Sequence, residues 1–360
     1  MSTDPRTSMV PHPSSDTSSI PAATSTLVVQ TAFLGDLVLT MPLLTALAQA
    51  HGPVDVITTP QAAPLLEDHP AVATVIRYDK RGADRGARAW LTLARRLRGQ
   101  EYRRTYLPHR SWRSAALAWA AGIPQRIGFA DSPARWSYTS RVVRDMKLHE
   151  TRRLLALASG VPDAVDFDFG LEDGDLDLAG EWLADHGILQ PFIAMAPGSV
   201  WGTKRWPSYP DLAARLDLPV VVVGGPGERE AAAAIVSAAG GRAVSAAGET
   251  TLRLSAAIIS HARLLVTNDS APLHLAGAVS TPVVAIFGPT VPAFGFGPLG
   301  PDDVIVEEPG LECRPCSPHG PMTCPLGHHR CMLDITVDTV ERAVRRLWRA
   351  AAATGGDAQT

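Results

Sequence analysis

One carboxylate stands where a catalytic base could act. Asp36 ends the stretch Thr31-Ala-Phe-Leu-Gly-Asp36, between an apolar run that predicts a strand and one that predicts a helix. Gly35 permits a tight turn there, and Asp36 has the position of a helix N-cap. The carboxyl ends of parallel strands also form the ligand-binding edge of a sheet, where the same side chain could take a proton from a substrate. Position alone favours the cap, and both roles stay open.

Two later loops have the composition of anion-binding sites. Residues 197–207 combine small residues with Lys204, so that backbone N–H groups and one ammonium can approach a phosphate. Residues 266–274 open a predicted helix with Pro272 in its first turn, and the unpaired N–H groups of such a helix start attract anions. A solvated lysine and a capped helix without a ligand are the alternatives. The polar side chains of the second loop that fit a helix N-terminus are Asn268, Asp269 and Ser270.

All four cysteines fall between residues 313 and 331, with three histidines among them. A reducing cytosol argues against disulfides, and the Cys-x-x-Cys spacing is typical of a tetrahedral zinc site. We therefore predict a structural zinc that staples a loop; unligated thiols, or a redox or iron–sulfur role, are the alternatives. The candidate ligands are Cys313, Cys316, Cys324 and Cys331.

Charge is divided unequally along the chain. Residues 26–160 hold 19 Lys and Arg against 10 Asp and Glu, whereas residues 161–360 hold 13 against 24. A field of one sign speeds encounter with an oppositely charged partner, so the first half is expected to face an anionic partner. A chance distribution over solvated helices is the alternative, and no nucleic-acid motif accompanies the charge. The candidate contacts, in predicted loops or helix starts, are Arg110, Arg113 and Arg135.

The elements that position these residues alternate between strand and helix, which predicts parallel sheets with right-handed crossovers. The first series has strands at Leu27–Gln30, Val54–Thr58, Val72–Tyr78 and Thr105–Leu107 and helices at Leu37–Ala50, Ala87–Leu97 and Trp112–Ala121. The second has strands at Phe192–Met195, Val220–Gly224, Leu264–Thr267 and Val283–Phe287. Its helices are at Tyr209–Leu216, Glu228–Ala239, Leu252–Ser260, Pro272–Ala278 and Thr336–Ala350.

Two such series in 360 residues predict two domains. We place a first Rossmann-like domain at 26–170, an acidic linker at 171–190 and a second Rossmann-like domain at 191–350, with ligands bound in the cleft between them. Ser, Thr and Pro make up 15 of the first 25 residues, so 1–25 is expected to be a disordered leader and 351–360 a flexible tail. No signal-peptide core or 20-residue apolar span is present, which favours a cytoplasmic protein.

Several common nucleotide-binding signatures are missing. No Gly-x-Gly-x-x-Gly follows the first predicted strand, and no Walker lysine loop is present; Val223–Gly227 resembles one only superficially. Hydride transfer and ATP hydrolysis are therefore disfavoured.

In series, the motifs resemble glycosyltransferase family 9, the lipopolysaccharide heptosyltransferases, and most of all its heptosyltransferase II branch. The resemblance runs from about Leu27 to about Leu347. It rests on Leu-Gly-Asp36 with Thr40 and Pro42, Pro-Gly-Ser199 with Lys204-Arg-Trp-Pro207, Gly-Glu-Thr250 with Leu252, and Asn-Asp-Ser270 with His274 and Phe-Gly-Pro-Thr290.

The resemblance implies an α/β GT-B fold, with the acceptor in the first domain and an ADP-sugar in the second. Asp36 would then be the general base of an inverting heptosyl transfer from ADP-heptose to the lipopolysaccharide inner core. The implied donor contacts are Ser199, Lys204, Thr250, Asp269, Ser270 and His274.

The chain departs from the family in one place: Ala271 stands where a glycine usually follows Asn-Asp-Ser, and its Cβ could crowd the phosphate. A helix start and a lysine can neutralise a diphosphate leaving group, so no cofactor is expected to be required for catalysis. The expected partner is an anionic, lipid-linked saccharide at the inner membrane surface, with the enzyme cytoplasmic or peripheral on that membrane. Another nucleotide sugar, an epimerase or hydrolase on the same plan, and a non-catalytic binding module are the alternatives.

Overall fold

Two parallel six-stranded sheets organise the part of the chain that the computed structural model describes, residues 25–158, 167 and 169–354. The first sheet consists of β1 (Thr26–Val29), β2 (Val54–Thr58), β3 (Val72–Arg77), β4 (Arg104–Leu107), β5 (Gln125–Phe129) and β6 (Ser140–Val142). The second consists of β7 (Ile193–Ala196), β8 (Val220–Val222), β9 (Ala243–Ser245), β10 (Leu264–Asn268), β11 (Val283–Phe287) and β12 (Val304–Glu307).

Helices connect most of these strands. In the first half they are α1 (Leu34–His51), α2 (Ala87–Arg98), α3 (Trp112–Ala120), α4 (Glu150–Leu155) and α5 (Asp173–Asp185). In the second half they are α6 (Tyr209–Arg215), α7 (Arg229–Ala238), α8 (Leu252–His261), α9 (Ala271–Ala278), α10 (Arg330–Leu333) and α11 (Val337–Thr354).

The strand order is the same in both sheets apart from numbering. It is β3-β2-β1-β4-β5-β6 in the first and β12-β11-β10-β7-β8-β9 in the second, and every pairing is parallel. The central strands are continuous apolar runs that are buried on both faces, as β10 and β11 are along their whole length, because helices cover both sides of such sheets. The prediction of two doubly wound α/β units is confirmed.

Two hydrophobic clusters cover opposite faces of the first sheet. The α1 face belongs to a large cluster that continues into the second unit, where α1 packs against α9. The α2 and α3 face belongs to a separate cluster whose buried members all lie between Leu27 and Tyr138. The first sheet therefore joins the second unit through its α1 side, and α2 and α3 lie on the other side.

The predicted linker contains a helix. Leu176, Ala179 and Leu183 recur at helical spacing in α5, which buries the last two and packs against α8. Asp175, part of an Asp-x-Asp pattern, accepts two hydrogen bonds from Arg253 at 2.7 and 2.6 Å. Those bonds lower the pKa of the Asp175 carboxyl. This carboxylate is thus occupied by an arginine that fastens α5 to α8.

Some predictions fall on residues outside the described ranges. These are the leader up to residue 24, residues 159–166 and 168 near the end of the first predicted domain, and the tail beyond 354. Among the helices that the structure does describe, none is both long and apolar enough to cross a bilayer.

Candidate active site

Asp36 is not the N-cap residue of its helix. Helix α1 begins at Leu34 with Phe33 at the N-cap, so Asp36 is the third helical residue. Its Oδ2 accepts a hydrogen bond from the backbone N–H of Phe33 at 3.0 Å. A carboxylate in this first turn is favoured by the helix dipole. The N-cap prediction was therefore wrong by three positions, because the helix starts before Gly35 rather than after it.

The surroundings of Asp36 change its acidity. Burial raises the pKa of the Asp36 carboxyl above its ordinary value, and the hydrogen bond from Phe33 opposes that shift. Among charged neighbours, Glu150 raises this pKa, whereas His319 and Arg144 lower it. A raised pKa makes the carboxylate a stronger base once it is ionised.

Gly35 brings the two units into contact beside that carboxylate. A Cβ built on Gly35 would lie 2.9 Å from His274 Cδ2 and 3.6 Å from the Cα of Ala271, the first residue of α9. The absence of a side chain at Gly35 thus lets the first turn of α1 meet the first turns of α9. Burial lowers the pKa of His274 to about 4, so this imidazole is neutral at neutral pH.

A buried ion pair lies in the second unit. Lys204 Nζ donates to Asp269 Oδ2 at 2.6 Å, and Thr290 Oγ1 donates to the same oxygen, also at 2.6 Å. Only 10% of the Lys204 side chain and 7% of the Asp269 side chain are exposed. The solvated-surface interpretation of Lys204 is therefore wrong: the lysine is fixed by a carboxylate that a threonine also holds.

The other residues of the two loops have different partners. Ser199 Oγ accepts from the backbone N–H of Trp201 at 3.2 Å. Asn268 donates to the Pro197 carbonyl at 2.8 Å and so ties the end of β10 to the loop after β7. Ser270 occupies the N-cap of α9, yet its Oγ is buried and, among the described residues, has no hydrogen-bond partner. A buried hydroxyl without a partner is costly, which points to a ligand that would satisfy it.

Thr250 lies on a separate turn, between β9 and α8. Its hydroxyl donates to the Ala246 carbonyl at 3.2 Å and shares a 2.8 Å hydrogen bond with Ser255 Oγ. The sequence motif containing Thr250 is thus held at the start of α8, while Ser199, Lys204 and Asp269 form their hydrogen bonds in the loops after β7, β10 and β11.

The sequence interpretation missed an arginine and glutamate network next to Asp36. Both carboxylate oxygens of Glu150 accept from Arg144, at 2.7 and 2.6 Å, and Arg153 donates to one of them at 2.9 Å. Arg153 also donates to the Phe294 carbonyl of the second unit at 2.9 Å. Glu150 and Arg153 are buried and Arg144 is partly buried, so the network ties the first unit to the second through Arg153. Their spacing along the chain gives no motif that could have identified them.

The three arginines predicted to contact the acceptor have different surroundings. Arg110 pairs with Asp131 at 3.5 Å in an exposed salt bridge, and Arg135 is exposed on a short 3-10 helix. Arg113 lines a small cleft together with Thr31 and Lys80.

Lys80 was missed by the sequence interpretation. It donates to the Thr31 carbonyl at 2.6 Å, and burial lowers the pKa of its ammonium group. Its place after β3 puts it at the same sheet edge as Thr31, which follows β1.

The cysteine segment folds over the lysine loop. Backbone and side chain of Thr203 both donate to the Pro321 carbonyl, and a Cβ on Gly202 would collide with the Met322 carbonyl. All four cysteines are free thiols. Burial raises the pKa of Cys331 to about 11, and the other three cysteines add to that shift, so the four thiols lie within electrostatic range of one another.

No group of three or more His, Cys, Asp or Glu side chains within the described ranges has an arrangement ready to hold a metal ion. The zinc site thus stays a prediction.

Three aromatic rings from separate segments meet near Asp36. The ring centroids of Phe33 and Trp201 are 6.3 Å apart, and His319 of the cysteine segment lies 6.1 Å from Trp201 with its ring nearly parallel. These contacts join the start of α1 to the lysine loop and to the cysteine segment of the second unit. The combined site therefore presents one carboxylate from the first unit to an ammonium, a buried hydroxyl and a helix start from the second.

Comparison with known proteins shows which family the chain is similar to. The sequence model of glycosyltransferase family 9 (heptosyltransferase) matches residues 90–327. Lipopolysaccharide heptosyltransferase 1 of Pseudomonas aeruginosa is 30% identical over 315 residues, which cover 81% of this chain and 85% of that protein. Lipopolysaccharide heptosyltransferase 2 of Escherichia coli is 28% identical over 295 residues, which cover 74% and 84%.

A solved structure extends the likeness to three dimensions. The ADP-heptose lipopolysaccharide heptosyltransferase II of Escherichia coli superposes with a TM-score of 0.74 at 25% sequence identity, covering 90% of this chain and 98% of that one. The GT-B arrangement of two Rossmann-like units is confirmed. The chain belongs to glycosyltransferase family 9, the heptosyltransferases.

Proposed function

We propose that this protein transfers a heptose from ADP-heptose to the inner core of lipopolysaccharide with inversion at the anomeric carbon. The observation that carries the proposal is the approach of α1 to α9. It sets Asp36 of the first unit opposite the start of α9. Asp269, in the loop before α9, binds the buried Lys204. A base on one side and an anion site on the other are what an in-line displacement of a diphosphate requires.

In this mechanism Asp36 takes the proton from the acceptor hydroxyl as that oxygen attacks the anomeric carbon. The attack comes from the face opposite the diphosphate, so the product has the inverted configuration. The Phe33 N–H holds one carboxylate oxygen and fixes the side chain. General-base assistance of this kind is typically worth about 10²–10⁴-fold in rate.

On the donor side, Lys204 and the N–H groups at the start of α9 stabilise the negative charge that develops on the leaving diphosphate. Asp269 would repel phosphate directly, so its role is to orient the Lys204 ammonium with the help of Thr290. Ser270 Oγ, buried without a partner among the described residues, donates to the diphosphate.

The remaining donor contacts follow from the same arrangement. Neutral His274 packs beside the donor sugar, Ser199 lines the diphosphate loop, and Thr250 lies near the adenine. Ala271, the first residue of α9, adds a methyl group where a phosphate would approach the backbone. We infer that the helix start and Lys204 suffice for the leaving group, so that catalysis requires no metal.

We also propose a structural role for the cysteines, a set of acceptor contacts and a cellular location. The four cysteines hold one structural zinc ion that fastens their segment over the lysine loop. The acceptor is an anionic, lipid-linked saccharide bound by Arg110, Arg113 and Arg135. The enzyme works in the cytoplasm, peripherally on the inner membrane.

The second candidate is a sugar-nucleotide hydrolase or epimerase on the same plan, or a transferase that uses another nucleotide sugar. ADP release should be measured with ADP-heptose alone and with heptose-deficient lipopolysaccharide added, and then repeated with UDP- and GDP-sugars. The proposal predicts ADP release only when donor and acceptor are both present. Release that does not depend on the acceptor would identify a hydrolase, and turnover of UDP- or GDP-sugars would move the protein to another donor class.

A further inference from the structure

The segment from residue 85 to residue 130 is strongly basic. It contains ten arginines and one acidic residue, Glu101. Eight of the ten arginines are exposed. Among the salt bridges of the described residues, only Arg110 of these ten pairs with a carboxylate, Asp131 at 3.5 Å. The surface formed by this segment therefore carries positive charge that the protein itself leaves almost uncompensated.

Three tryptophans are exposed on the same part of the molecule. The exposed fractions are 65% for Trp112, 60% for Trp119 and 71% for Trp136. Trp112 and Trp119 are seven residues apart on α3, which places them on one stripe of the helix, while the rest of α3 buries Ser114, Ala115, Leu117 and Ala118. Large exposed aromatic residues grouped in this way mark an interaction surface rather than ordinary surface composition.

The tryptophans and arginines lie on one continuous layer. Helix α3 packs against α2 on one side and against the 3-10 helix that carries Arg135 and Trp136 on the other. Arg98 of α2 donates to the Ala120 carbonyl at 2.9 Å, beside Trp119. Each exposed tryptophan thus has an arginine next to it: Arg113 beside Trp112, Arg98 beside Trp119, and Arg135 beside Trp136. We call this layer of α2, α3 and the 3-10 helix the α2–α3 face.

The α2–α3 face is directed away from the second unit. The apolar cluster beneath it contains buried residues of the first unit only, whereas the opposite face of the same sheet packs through α1 onto α9. The start of α3 nevertheless follows β4 at the carboxyl edge of the sheet, where the cleft opens. A partner on this face can therefore lie alongside the cleft without closing it.

We propose that the α2–α3 face docks on an anionic lipid bilayer, with the tryptophan rings at the headgroup level and the exposed arginines of α2 on lipid phosphates. Tryptophan concentrates at membrane interfaces because its ring is apolar and its N–H polar. Arginine places its charged head on headgroups while its stem covers apolar surface. Each basic residue near such a surface adds electrostatic attraction to it.

The proposal rests on the proposed function in one respect: a lipid-linked acceptor requires the cleft to approach a membrane. The charge complementarity and the exposed rings stand independently of it. Nucleic acid is the competing anionic partner. It is disfavoured because this charge is spread over helices and no recognised nucleic-acid motif accompanies it.

The test is sedimentation of the full-length protein with vesicles of phosphatidylglycerol and phosphatidylcholine, and with vesicles of phosphatidylcholine alone. One variant combines Trp112→Ser, Trp119→Ser and Trp136→Ser. Its matched control removes three exposed leucines outside the face, in Leu178→Ser, Leu189→Ser and Leu333→Ser, where the exposed fractions are 58%, 81% and 58%. A second variant, Arg88→Gln with Arg95→Gln, removes charge from one stripe of α2. Urea unfolding midpoints check that every variant is folded.

The wild-type protein should bind the anionic vesicles, and the tryptophan variant should bind them at least about tenfold more weakly. The leucine control should bind like the wild type, and the arginine variant should bind more weakly with a smaller dependence on salt. The proposal is overturned if the wild type does not sediment with anionic vesicles or if the tryptophan variant binds as well as the wild type. It is also overturned if a single-stranded oligonucleotide competes the protein off the vesicles and requires the same tryptophans.

Activity distinguishes this proposal from the proposed function. The tryptophan variant should turn over a water-soluble, delipidated core acceptor at the wild-type rate and lose turnover only with acceptor embedded in vesicles. Equal losses with both acceptors would contradict the docking role. Absence of turnover in the wild-type protein with either acceptor would contradict the proposed function and leave vesicle binding as a separate result.

Discussion

Removing Lys204 separates its two roles, which are to balance Asp269 and to bind the donor diphosphate. The two side chains are 10% and 7% exposed and their charged atoms lie 2.6 Å apart. Lys204→Ala leaves a buried carboxylate without its cation, so we expect a loss of about 3–5 kcal/mol in the free energy of unfolding. The lost charge-assisted contacts to diphosphate should cost about 3 kcal/mol of binding, or an affinity for ADP at least roughly 100-fold lower.

A double variant distinguishes the two losses. Lys204→Ala combined with Asp269→Asn removes both charges, so most of the unfolding free energy should return while the affinity for ADP stays low. Lys147→Ala is the matched control, because that lysine is exposed on a loop. Urea unfolding gives the stability and titration calorimetry with ADP gives the affinity. Wild-type affinity for ADP in a folded double variant would refute the assignment of Lys204 to the diphosphate.

Three further predictions follow from the site. The KM for an anionic acceptor should rise with ionic strength while the KM for ADP-heptose changes less, and Arg113→Gln should reduce that dependence; a salt-independent acceptor KM would contradict it. Protein purified without added metal should contain about one zinc ion per chain, and elemental analysis that finds neither zinc nor iron would refute the cysteine site. Since burial raises the pKa of Asp36 and only its ionised form takes a proton, kcat should fall as the pH drops through a value above the ordinary aspartate pKa of about 3.9; a pH–rate profile whose acid limb lies at or below that value would contradict the assignment.

The sequence predicts the central strands well because their signal is unambiguous. β11 is apolar along its whole length and β10 over its first three residues, and both were predicted exactly or to within one residue. Strands β5, β6, β9 and β12 were missed. They are partly exposed; β5 and β6 mix polar with apolar residues, and the apolar runs of β9 and β12 are only two and three residues long. Pairing with a neighbour, which the sequence does not display, is what makes them strands.

In the candidate site, too, the sequence predicted some features and missed others. Asp36, Lys204 and Ser270 each come a few residues after a predicted strand, so parallel-sheet topology alone brings them to one edge. The Lys204–Asp269 ion pair and the Arg144–Glu150–Arg153 network depend on packing between distant segments. No spacing rule anticipates them. The start of α1 was also predicted wrongly. Gly35 was interpreted as a turn residue, whereas it lies inside the helix and lacks a side chain where α1 approaches His274.

The most direct test of the central claim is the turnover number of Asp36→Asn. Asparagine keeps the size of the side chain and an oxygen that can still accept from the Phe33 N–H, so the start of α1 should survive. The mechanism predicts an unchanged unfolding midpoint, wild-type affinity for ADP-heptose and a kcat at least ~100-fold lower. If the folded variant binds donor normally and keeps most of its turnover, Asp36 only stabilises the first turn of its helix and the base lies elsewhere.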